Sequence, residues 1–73
     1  MELNEKTIRN LVGKYVVGVK GQGGSIGNVV EIIPGQFDIE ASYSTMRIFP
    51  YDREHGAVVE LDKNRRPVEI YEF

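Results

Sequence analysis

The residues with the chemistry for catalysis are few. The one histidine, His55, stands in Asp52-Arg53-Glu54-His55-Gly56, with two carboxylates inside three residues. Imidazole and carboxylate are metal ligands and proton carriers, but a metal needs several convergent donors, and these three on one short run make a weak set. The composition of the run predicts a solvated turn. Ser25, Ser42 and Ser44 share this single imidazole as a base, and none lies in a motif that activates a nucleophile. Asp38 and Glu40 fall on one face of a strand, where an alternating polar face accounts for them without acid–base work. The expectation is a protein that is not an enzyme, with no catalytic residue, no metal, no cofactor and no small-molecule substrate.

Three further segments invite a binding role. Gly21-x-Gly23-Gly24-x-x-Gly27 has the glycine density of a phosphate-binding loop, whose backbone amides approach an anion at a helix N-terminus. The adjoining segment, Ile26 to Ile33, reads as a strand, so the glycines predict a hairpin turn with a bulge. Lys63-Asn64-Arg65-Arg66 is the one dense basic cluster; with Arg47 or Lys20 nearby it has the charge to contact RNA phosphates. The last strand, Val68-Glu69-Ile70-Tyr71-Glu72-Phe73, is apolar at alternate positions. If Val68 and Ile70 point inward, Tyr71 and Phe73 point outward, as aromatic side chains suited to a protein interface.

These residues need a scaffold, and hydropathy patterning supplies one. Asn4 to Leu11 predicts a short helix, with Asn4 as cap, Glu5 at the positive end of the dipole, Leu3, Ile8 and Leu11 on one face, and Gly13 as terminator. From Lys14 the period changes to two. Tyr15, Val17 and Val19 alternate with Val16, Gly18 and Lys20 as a first strand. Ser25 to Ile33 is the second, where Gly27 predicts a bulge or a sharp bend, and Pro34-Gly35 ends it. Phe37, Ile39, Ala41 and Tyr43 alternate with Asp38, Glu40 and Ser42 as a third strand. Thr45 to Tyr51 is a fourth, with Met46 and Ile48 inward and Pro50 at an edge or strand end. Asp52 to Gly56 is the next turn, and Ala57 to Asp62 and Pro67 to Phe73 form a final hairpin.

Short strands about every ten residues, after one short helix, predict a mostly β fold: a small antiparallel β-barrel of five to six strands with a short N-terminal helix, filling residues 1–73 as one domain. No crossover helix is available for a parallel sheet. A chain of 73 residues buries only about 60% of the surface its unfolded form exposes, and without cysteine it has no disulfide or thiolate zinc site to supplement the core. Apolar packing, with or without a partner subunit, must hold it. No run approaches the roughly 20 apolar residues that span a bilayer, and the charged opening is unlike a secretory signal, so the cytoplasm is expected and no membrane partner. The net charge of −2 opposes general affinity for nucleic acid, although residues 1–30 sum to +2 and residues 31–73 to −4.

Leu11-Val12-Gly13-Lys14, followed by Ile26-Gly27-Asn28-Val29-Val30-Glu31-Ile32, resembles the opening hairpin of the PRC-barrel family over residues 11–33. That resemblance implies a small β-barrel adaptor with no shared catalytic residues to carry over. A helix followed by Leu-x-Gly-Lys and a bent barrel is also similar to the Sm-like fold, at Leu11, Gly13, Lys14 and Gly27. That family forms RNA-binding rings, but the Asn-rich loop after strand three and the late Arg-Gly pair are absent here. The leading expectation is therefore a non-enzymatic protein-binding or adaptor module, binding a protein partner or itself through Tyr71 and Phe73. The alternative is an RNA-binding oligomer using Arg47, Lys63, Arg65 and Arg66.

Overall fold

The computed structural model describes residues 1–20, 23–50 and 55–72. One short helix, α1 (Glu5–Arg9), precedes six strands: β1 (Tyr15–Lys20), β2 (Gly23–Ile33), β3 (Gln36–Glu40), β4 (Thr45–Phe49), β5 (His55–Leu61) and β6 (Pro67–Tyr71). All pair antiparallel in one sheet of order β4-β3-β2-β1-β5-β6. The mostly β fold and the short helix are as expected. No strand pairing joins β4 to β6 among the described residues, so the sheet has two edges.

The helix forms where its ends are satisfied. The Asn4 side chain accepts the Thr7 N–H and the Thr7 hydroxyl accepts the Asn4 N–H, each at 2.9 Å, a reciprocal cap of two otherwise orphaned donors. Leu3, Ile8 and Leu11 then face one way and are buried. Gly13, at φ +84°, turns the chain into β1, and its N–H donates to the Val29 carbonyl at 2.8 Å.

The sheet is rolled rather than flat. Gly18 of β1 faces Met46 and Ile48 of β4 and Ile39 of β3, strands that are not its neighbours in the sheet, and a methyl group at Gly18 would strike the ends of the Met46 and Ile39 side chains. Val16, Val29, Phe37, Ile39, Ile48, Val58 and Tyr71 fill this concave side, closed by Leu3, Ile8 and Leu11. The space left between Leu3, Val19, Met46, Ile48 and Val58 is about 10 Å³, room for one water at most.

Of the bulge and the sharp bend expected at Gly27, the bulge is excluded. Its pairing with Val16 is regular, and the bulges of β2 and β3 lie at Glu31/Ile33 and Phe37/Asp38. What the position requires is a missing Cβ, because the Glu40 carbonyl of β3 occupies its place. Three other expectations are corrected. The third strand stops at Glu40, and Ala41 to Ser44 close a turn through Ala41 N–H to Ser44 O at 2.9 Å, which leaves Tyr43 fully exposed. His55 opens β5 opposite Lys20 instead of lying in a turn. Gly23 and Gly24 begin β2. Gly21, Gln22 and the run Tyr51 to Glu54 lie outside the described residues.

The edges are treated differently. At β6, the Leu3 N–H donates to the Glu72 carbonyl and the Glu72 N–H to the Met1 carbonyl, so residues 1–3 run alongside the end of that strand and cover its hydrogen-bonding groups. At β4, Pro50 follows the strand directly and offers no N–H. Among the described residues no helix is long and apolar enough to cross a membrane.

Candidate protein-docking face

The convex side of the sheet carries the feature that the core does not explain. Register aligns Ile26 with Val17, Val17 with Val59, and Val59 with Ile70, one residue from each of β2, β1, β5 and β6. Their neighbours Val16, Val58 and Tyr71 point into the core, so this row points out. Ile26 is 43% exposed, Ile70 49%, and Val68, two positions before it, 54%. Beyond β2 the same face turns polar. Val30 aligns with Asp38 and Asp38 with Arg47, and Asn28 aligns with Glu40 and Glu40 with Thr45. The apolar surface is thus confined to four strands.

The β5–β6 turn borders this surface at one end. Asp62 builds the turn, its Oδ1 accepting the N–H groups of Asn64 at 2.8 Å and Arg66 at 3.0 Å, while Arg65 takes a left-handed φ of 63°. That geometry lays the Arg65 guanidinium over the Tyr15 ring, 4.7 Å from its centroid. Lys63, Arg65 and Arg66 are all exposed, so the turn is a basic cap on the apolar row.

The expected outward placement of Tyr71 is corrected. Tyr71 is 7% exposed and belongs to the core, while Val68 and Ile70 face solvent. Register decides it: Tyr71 pairs with Val58, an inward residue, and one step of a period-two pattern exchanges the faces. Tyr71 also gains a partner inside, its hydroxyl donating to Glu60 Oε1 at 3.2 Å. Burial first, and then Glu60, push its pKa above the usual tyrosine range. Phe73 lies outside the described residues.

Compared with protein families, with characterised proteins and with solved structures, the chain matches none of them. Its own residues must therefore carry any functional reading. Of the four basic residues expected to act together, Lys63, Arg65 and Arg66 share one turn, but Arg47 sits on β4 at the opposite edge of the sheet order. Lys20 ends β1 at the end away from that turn. Among the described residues no three acidic or histidine side chains converge as a metal site would need.

The row Ile26–Val17–Val59–Ile70 was not among the expected sites, though a signal for it is present in the chain. β1 and β5 are apolar at consecutive positions, Val16-Val17 and Val58-Val59, and a strand apolar on both faces is one that has something to bury on both.

Proposed function

We propose that this chain is a non-catalytic protein-binding module, a rolled sheet working as a small barrel, whose docking surface is the convex face of β2, β1, β5 and β6. The observation that carries the reading is the aligned apolar row Ile26–Val17–Val59–Ile70 with Val68 beside it, in which Ile26, Ile70 and Val68 are exposed and the central Val17 and Val59 half-buried.

The test is capture of protein by immobilised wild type, Ile70→Glu and Val68→Glu, with Ile32→Glu at the far end of β2 as control. Ile32 is equally exposed but lies off the row. Loss with the first two and retention with the control is expected; equal capture by all four rejects the surface.

RNA contact is the second reading, and the observation in its favour is the exposure of Lys63, Arg65 and Arg66 on one turn. It predicts salt-sensitive binding of a short RNA that Arg65→Ala with Arg66→Ala abolishes. Unchanged affinity in that variant removes the site.

A further inference from the structure

Resting on the docking face above, we propose that its occupant is a second copy of this chain, seated face to face about a two-fold axis that lies in the interface and runs across the strands. The charges along β6 select both occupant and orientation. Lys63, Arg65 and Arg66 stand at its turn end and exposed Glu72 at its other end, with the Met1 ammonium at the edge between them, 3.9 Å from the Glu69 carboxylate. Such a face is complementary to itself when its ends are exchanged. A partner of one charge sign would be attracted at one end and repelled at the other.

The register makes the pairing specific. On β6, Glu69 is midway between Arg66 and Glu72, with outward Val68 and Ile70 on either side of it. An axis over Glu69 sets Val68 of one copy against Ile70 of the other and Arg66 against Glu72, and symmetry makes each contact twice. Glu69 aligns through Glu60 and Val16 with Gly27, so the same axis crosses all four strands. It brings Val17 to Tyr15, and the row becomes the centre of the interface. A two-fold along the strands would instead bring the two basic turns together.

Four strands about 4.8 Å apart and five residues of about 3.3 Å each give a patch on the order of 300 Å² in projection. That is small for a permanent interface, so the dimer is weak and concentration-dependent.

Sedimentation from about 10 μM to about 1 mM, the range in which an association this weak is read, tests it on the full chain. The wild type should pass from one chain mass to two, and Ile70→Glu should remain at one. Arg66→Glu and Glu72→Arg should each weaken the dimer roughly tenfold, and the two together should restore it. Thermal unfolding of each variant checks that it is folded, which substitution at exposed positions should leave intact. A wild type of one chain mass throughout, a dimer indifferent to Ile70→Glu, or a charge swap without restoration overturns the proposal. If the wild type is monomeric but its captured proteins are lost with Ile70→Glu, only the second copy is rejected. If capture also ignores that substitution, the docking face falls with it.

Discussion

Tyr71 donates its hydroxyl to Glu60 Oε1 at 3.2 Å, and the other oxygen of the same carboxylate receives the Lys14 ammonium at 3.3 Å. One side chain of β5 thus joins β6 to the entry of β1. The Glu60 side chain is largely covered, at 14% exposure, so the hydrogen bond to it is shielded from water.

Alkaline titration should report this pair. Because the folded chain holds the Tyr71 proton more tightly than the unfolded chain does, its contribution to stability is complete below about pH 10. It is lost as pH rises through the raised folded value. Tyr71→Phe should remove the late-titrating component of the phenolate absorbance and cost roughly 0.5–1.5 kcal/mol at neutral pH by urea unfolding. A lost component that titrates together with the other tyrosines rather than after them would refute the pairing.

Acid should act through Glu31. Its carboxylate accepts the Gly35 N–H at 3.0 Å and both oxygens meet the Arg9 guanidinium at 3.0 Å, which ties α1 to the β2–β3 hairpin. The Gly35 N–H first, and then Arg9, hold its pKa below the usual carboxylate range. The unfolded chain then takes the proton first as pH falls, so the contribution is present above about pH 4.3 and lost through the lowered folded value. Wild type should be more stable than Glu31→Gln at pH 7, and the difference should shrink toward pH 3. A difference constant with pH would contradict this.

Two glycines should respond unequally to the same methyl group. Gly27→Ala places Cβ on the Glu40 backbone carbonyl, which cannot yield without moving β3, whereas Gly18→Ala meets the ends of the Met46 and Ile39 side chains, which can turn aside. Overpacking of this kind costs roughly 1–3 kcal/mol. Gly27→Ala should fall at the upper end and Gly18→Ala below it; the reverse order by thermal unfolding would show that the backbone crossing at Gly27 is wrong.

The helix cap is a local device and should behave as one. Asn4→Ala removes the acceptor for the Thr7 N–H and should cost about 1 kcal/mol. Backbone hydrogen exchange should rise over residues 5–9 and leave β3 and β4 unchanged. Equal acceleration across the sheet would mean that α1 and the core unfold together.

The features legible in the chain obey rules that act within a few residues. Asn4 before Glu5 announced the cap, Pro34-Gly35 the hairpin, Pro50 a strand end, and the alternation through Phe37 and Ile39 an inward face that is buried in full. Those that were not legible depended on partners distant in sequence. β6 has apolar residues at both parities, and only its pairing with Val58 determines that Tyr71 enters the core while Val68 and Ile70 leave it. Tyr43 kept the period of β3, but the turn closed by Ala41 and Ser44 ends the strand before it. The docking row needed the register of four strands at once, which no single segment encodes.

The most direct test of that row is a methyl-resolved spectrum of the chain recorded from dilute to concentrated solution. Ile26, Val17, Val59, Val68 and Ile70 should shift together as concentration rises, while exposed Ile32, Ile33 and Val12 stay constant. Shifts confined to Ile32 and Ile33, or none at any concentration, would contradict a second copy seated on the convex face.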